Sequence, residues 1–316
     1  MQQINADNIL DLDKFQMKPI GSSALQPAHF PGLGDQSFRR NGVTYTNLAT
    51  KSAVINQLEA SLVESEGVLV DALDGMPYLA VETEKEGQEY IQRFTTLELP
   101  HRIGSGVFAL CQRGSVWDFP DQLLEKMQQV GPHNAVAYFD PISALFGCFL
   151  SHYSNIPSTW SKFTGAVTGG VIGVASEQVI ASAVTRDPMG SNTQEVGILM
   201  EKGRVSQIGM GNVIHLSNDV DCERVELNLF LNKARLKLYD KEIQTLLINI
   251  YKYASLKCMS NGFDFRNRCF IKPMTGVEFE EKKLAKTIQT SLSKCRKKRL
   301  ISESSQLRVL NIASVK

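Results

Sequence analysis

Hydrophobic positions repeat with two different periods along this chain, and the clearest unit lies toward its end. Residues 224–232 alternate, with Val225, Leu227, Leu229 and Leu231 on one side and Glu226, Asn228 and Phe230 on the other, the period of a half-buried strand. Residues 241–259 place Ile243, Leu246, Leu247, Ile250, Ala254 and Cys258 on one helical stripe. Asn261-Gly262 stops that helix, and residues 263–271 read as another strand. Strand, helix and strand with short links predict an α+β fold with helices on one sheet face, of the ferredoxin-like or RRM kind.

Upstream the pattern is more broken. Residues 1–20 read as an irregular leader, and residues 21–42 as loop, because glycine and proline are dense there. Residues 50–63 predict a helix capped by Thr50 or Ser52, with Val54, Ile55, Leu58 and Leu62 on one face. Two short strands, 68–73 and 78–81, flank the turn Asp74-Gly75-Met76-Pro77, and Asp71 and Asp74 read as turn chemistry. Phe119–Val130 predicts a helix ended by Gly131-Pro132. Residues 161–183 are apolar and carry Gly165, Gly169, Gly170 and Gly173. Glycine at that density suits either a sheet edge against a ligand or a tightly packed core segment. The organisation expected is a leader (1–20), one main domain (21–275) and a basic C-terminal segment (276–316).

Charge changes this picture only locally. The 34 Lys and Arg nearly balance the 33 Asp and Glu, for a net charge of +1, which argues weakly against nucleic-acid binding by the chain as a whole. Yet residues 282–299 hold eight cations and no acid. Two readings of that run stay open: a helix laid on RNA or DNA, or a solvated end. The six cysteines form no CxxC pair and have no histidine at ligand spacing, so reduced thiols in the cytoplasm are expected, with no metal and no cofactor. No apolar run approaches the ~18 residues of a membrane span. There is no phosphate-binding GxxxxGK[ST], no GxSxG and no HExxH. The five histidines are isolated, and Gly209-Met210-Gly211 lacks the third glycine of a dinucleotide fingerprint.

Six blocks in order carry a resemblance. They are LQPAHFPGLG from Leu25, KSAVINQLE from Lys51, TLELPHRI from Thr96, FDPISALFG from Phe139, GMGNV from Gly209, and the strand–helix–strand of 225–271. Together they resemble the backbone RAMP subunit of type I-G (formerly I-U) CRISPR effector complexes, in the Cas-seven group, over roughly residues 20–272. The chain departs from that pattern at Lys51, at Gly104-Ser105-Gly106, and at the apolar Gly169-Gly170-Val171-Ile172.

The resemblance implies an RRM-like palm with an inserted thumb near 183–212. It implies a non-catalytic subunit that coats the crRNA, supports pairing with a target DNA strand, stacks on copies of itself in a helical filament and meets other effector subunits. Such a subunit grips the sugar-phosphate chain without reading sequence, because base pairing does the reading. Candidate RNA contacts follow. Lys51, Ser52 and Asn56 stand near a helix start, where free N–H groups and the macrodipole favour phosphate. His101 and Arg102 precede Gly104 and Ser105; Arg102 is either an ordinary ion pair or a fork on two phosphate oxygens, and the fork is preferred. Lys162, Gly169 and Gly170 are expected to line the same groove or to pack in the core. Arg186 and Met189 are expected as clamp and base-splaying wedge on the thumb. His29, Phe30, Arg39 and Arg40 fall in the N-terminal loop, where Phe30 is a base-stacking candidate. The alternatives are an RNA endonuclease of the RAMP superfamily and an α+β interaction protein without nucleic acid.

Overall fold

Lys14–Pro19 alternates exposed and buried side chains, Phe15 and Met17 inward and Lys14, Gln16 and Lys18 outward, and this short period-2 segment occupies the middle of the main sheet. The computed structural model describes residues 3–30, 32, 34–65, 67–84, 91–109, 119–185, 213–266, 268–303 and 306–311. That first strand, β1 (Lys14–Pro19), is followed by two hairpins, β2 (His29–Phe30) with β3 (Gly34–Asp35) and β4 (Ser37–Arg40) with β5 (Val43–Ala49). Helix α1 (Lys51–Ala60) comes next, then β6 (Val63–Ser65), β7 (Val68–Leu69), a 3-10 turn at Asp71–Leu73, β8 (Leu79–Glu84) and β9 (Ile91–Thr95). Four helices follow, α2 (Gly106–Ala109), α3 (Phe119–Val130), α4 (Pro132–Phe139) and α5 (Pro141–Phe146). Strands β10 (Gly147–Phe149) and β11 (Lys162–Thr164) lead into two long strands, β12 (Val167–Thr185) and β13 (Val213–Leu231). The chain continues through α6 (Lys233–Leu236), α7 (Lys241–Asn261), β14 (Phe263–Asp264), β15 (Phe270–Pro273), α8 (Glu281–Lys297) and β16 (Gln306–Asn311).

The main sheet has seven strands in the order β14-β15-β1-β13-β12-β5-β4, with every neighbouring pair antiparallel. Four of them, β1, β12, β13 and β15, are linked by α1 and α7 and lie in the order fourth, first, third, second. Helices α1 and α7 pack on one face. A Cβ at Gly169 would stand 3.0 Å from Val54 Cγ1, so the bare backbone there lets α1 approach β12. The fold is mixed α+β, as the periodicity predicts.

Strands β12 and β13 outrun their sheet. They pair with each other from Val167↔Leu231 to Thr185↔Val213, whereas β12 meets β5 only over Val171–Val174 and β13 meets β1 only up to Val225. Past an isolated bridge from Leu25 to Val220, no further strand flanks them among the described residues. A two-stranded ribbon of about 7–9 residues per strand therefore projects roughly 25–30 Å beyond the sheet. Ala175, with φ of 52°, marks the departure, and Thr46 Oγ1 ties the root by hydrogen bonds to Ser176 Oγ (2.7 Å) and Ser37 Oγ (2.9 Å).

Four expectations are corrected here. The leader is not irregular throughout: Lys14–Pro19 is a central strand, and Ile4 and Ile9 are buried. The strand expected over 68–73 is only Val68–Leu69, followed by the 3-10 turn that Asp71 opens and Asp74 closes. The strand expected over 263–271 is a tight antiparallel pair, β14 and β15. The basic segment is no loose end. Leu284, Ile288, Leu292 and Cys295 are buried in the common core, α8 lies along α7, and Asn249 Nδ2 donates to Ser291 Oγ at 2.9 Å. Burying a Leu or Ile side chain contributes roughly 1.5–3 kcal/mol, enough for this apolar stripe to dock the helix with its lysines outward. Strand β16 then runs parallel to β8.

Candidate nucleic-acid interface

Thr50 follows β5 directly and caps α1, its Oγ1 accepting from Ala53 N at 3.2 Å. Val54, Ile55 and Leu58 turn to the core, which leaves Lys51, Ser52 and Asn56 exposed on the outer face of the first turns. These three line a cleft of about 810 Å³ between α1 and the segment 97–102, closed at its base by Phe146. A second, smaller furrow of about 340 Å³ runs between β4 and the floor made by Gly169 and Gly170. Lys51 borders both. Burial, then the charges of Arg235 and Arg102, lower the pKa of its ammonium. Lys51 makes no ion pair among the described residues, so it stands as an uncompensated cation beside the free N–H groups of a ten-residue helix. The cleft is polar from end to end in charge: Lys51 lies at one side, Glu64 and Glu98 at the other.

Arg102 lines the same cleft with a different occupation. Its Nε and Nη2 grip the two carboxylate oxygens of Glu59, the latter at 2.6 Å, and Nη1 donates to the Gly147 carbonyl at 2.8 Å. Both side chains of the pair are only 14% exposed, and the guanidinium stands 5.9 Å from the Phe146 ring centre. Burial opposes its charge, and the Glu59 carboxylate more than offsets this, so its pKa is raised. The phosphate-fork expectation is thus corrected: the fork is taken by a carboxylate on α1. The glycine argument beside it also changes. A Cβ at Gly104 would meet the Phe149 carbonyl oxygen at 2.3 Å, so the close approach there is made by the protein's own β10. Ser105 is buried, and its hydroxyl accepts from Val107 N.

The FDPISALFG block has a structural explanation. Asp140 is fully buried and caps α5: Oδ1 accepts from Ile142 N (3.0 Å) and Ser143 N (3.1 Å), and Oδ2 accepts from Ser143 Oγ (2.6 Å). Pro141 occupies the first helical position, and Gly147 ends the helix at φ of 93°, a region that favours glycine. Ser143 Oγ also accepts from Ile103 N, which fixes the segment carrying Arg102.

The remaining candidates spread out. His29 is exposed on β2, and the Phe30 side chain lies outside what is described. Arg39 and Arg40 are exposed on edge strand β4, Arg39 Nε donating to the Gly42 carbonyl at 3.2 Å across the Asn41-Gly42 turn. His101 is exposed just before its 3-10 turn, and Lys162 is exposed on β11; neither borders the two clefts. Arg186, Met189, Gly209-Met210-Gly211 and the rest of 186–212 lie outside the described residues, so of the thumb expected near 183–212 only residues 183–185, the end of β12, are described. Arg235 was not legible as a site residue. It reaches Gly165 O at 2.5 Å and acts on Lys51 through its charge, a pairing across 184 residues of sequence with no local signal.

Among the described residues, no helix is long and apolar enough to cross a membrane. The five described cysteines, Cys148, Cys222, Cys258, Cys269 and Cys295, carry free thiols.

A sheet with a long two-stranded arm and a helix start facing two adjoining clefts defines an α+β protein. The family model of CRISPR-associated protein GSU0053 matches residues 13–178, more than half of the chain, and the chain belongs to that family. The match opens one residue before β1 and closes in β12, so it spans the strand missed as leader and both clefts. No curated protein matches the chain.

Proposed function

We propose that this chain is the non-catalytic guide-RNA-binding backbone subunit of a type I CRISPR interference complex, of the type I-G kind, working in the cytoplasm. The observation that carries the reading is the exposed trio Lys51, Ser52 and Asn56 at the open N-terminus of α1, where two clefts meet, in a chain of a CRISPR-associated family. Backbone N–H groups, a hydroxyl, an amide and one uncompensated ammonium form a donor set for phosphate oxygens with no preference among bases. Strand order supports an RRM-like palm, and the β12–β13 ribbon supports a thumb that reaches away from it. Copies related head to tail place the arm of one on the RNA held by the next, an open heterologous arrangement whose length the crRNA sets. The bases then stay free to pair with the target DNA strand.

Purification of the recombinant subunit with its CRISPR transcript tests this reading. RNA of uniform length and multimers are expected, and a bare monomer at low ionic strength overturns it. Complementary RNA with Mg²⁺ is expected to survive intact; a regular cleavage ladder assigns the chain to the endonuclease class instead.

A further inference from the structure

The second furrow holds an aromatic feature that the phosphate-gripping trio does not use. Phe38 on edge strand β4 is 55% exposed, unusual for the largest apolar group of a short strand. Its ring lies flat on Tyr45 of β5, centroids 5.0 Å apart and planes 7° apart, so its orientation is fixed from below while its outer face is free. Phe38 borders the furrow floored by Gly170 and bounded by Lys51. A Cβ at Gly170 would meet only the Ala49 carbonyl oxygen, at 3.5 Å, an ordinary contact. Internal packing therefore does not demand glycine at 170; what its absence of a side chain preserves is depth in the furrow.

We propose that Phe38, backed by Tyr45, is a stacking platform for one nucleobase of a single-stranded RNA, with the adjoining phosphate held at Lys51. The inference rests on the guide-binding reading and deepens it. Every base offers a π face, so a platform of this kind holds a base without reading its identity. A flat ring beside an uncompensated cation matches a nucleotide, which is apolar in its base and anionic one sugar away. The site is continuous with the cleft at the start of α1 through Lys51 itself.

The test uses the full chain and an oligouridylate carrying 5-iodouridine, which crosslinks on irradiation to aromatic rings stacked on it. The wild type is expected to give a crosslinked peptide containing Phe38. Phe38→Leu is expected to lose that crosslink and to bind the RNA about tenfold more weakly, with an unchanged melting temperature because the side chain is exposed. Gly170→Ala, which the fold accommodates, is expected to weaken RNA binding in the same direction. RNA binding that is unaltered in Phe38→Leu, with crosslinks mapping only elsewhere, overturns the platform and leaves the guide-binding reading standing. Loss of self-association in Phe38→Leu with unaltered RNA affinity also overturns it, in favour of a contact between copies. A wild type that binds no RNA overturns both readings together.

Discussion

Lys51 and Arg102 line the same cleft and teach opposite lessons about what a cation there is free to do. Arg102 carries the richer donor set, yet three of its N–H directions already end on Glu59 and Gly147, and its charge is cancelled by a carboxylate held 2.6 Å away. Lys51 has the poorer geometry but stands among like charges, with a lowered pKa, no ion pair among the described residues and the free end of a helix beside it. An anion gains from charge that the protein leaves uncompensated, so the proposed function makes the lysine the ligand hand, while the arginine is the brace that holds α1 against the segment 97–102.

The largest effect that breaks this comparison is Arg102→Met. It leaves the Glu59 carboxylate partly buried without its partner, and unfolding free energy is expected to fall by roughly 2–4 kcal/mol, read as a lower urea midpoint with an unchanged slope. Stability equal to wild type with lost RNA binding reverses the roles assigned to the two cations.

Next comes the support of the brace. Asp140→Ala removes three accepted hydrogen bonds at the start of α5 and is expected to cost about 1–3 kcal/mol. The pH dependence has a definite sign. Burial raises the Asp140 pKa, so the folded chain holds this proton more tightly than the unfolded chain. Its contribution to stability is greatest in acid and is lost as pH rises through the raised pKa. Asp140→Asn is expected to flatten that part of the stability–pH curve, and an undiminished slope contradicts the assignment.

Lys51→Ala acts on binding instead of folding. RNA affinity is expected to drop several-fold for all sequences alike, and the log–log salt slope to become shallower by about 0.7, one phosphate contact on a single strand. Melting within about 0.5 kcal/mol of wild type completes the contrast with Arg102. A loss confined to particular sequences argues against a grip on the sugar-phosphate chain.

The smallest effect is expected at Lys286, exposed on the outer side of α8. Lys286→Ala should change stability by less than about 0.5 kcal/mol and leave the RNA salt slope unaltered. A slope change as large as that of Lys51 extends the interface onto α8.

Legibility followed the length and period of each signal. The α1 cap, its buried face and the α7 stripe were readable because each spans several turns with one phase. Strand β1 was missed because only Phe15 and Met17 mark its inner face, and two positions do not establish a period. The stripe Leu284, Ile288, Leu292, Cys295 was present at helical spacing but was overshadowed by eight cations in the same stretch. In the candidate site, Lys51, Ser52 and Asn56 line one cleft, as their spacing implied, and Gly170 of β12, more than a hundred residues away, meets Lys51 alone of the three in the second furrow.

The chain's own residues determined the mixed α+β class, the start of α1 and the helical phase of its long elements, since hydrophobic period and capping chemistry act over a few residues. Which cation remains free was decided only by the tertiary structure. Glu59 and Arg102 lie 43 residues apart, and Phe38, Gly170 and Lys51 meet only when β4, β12 and α1 are assembled around one sheet. Charge compensation and the shape of a furrow depend on distances in space, which linear spacing does not encode.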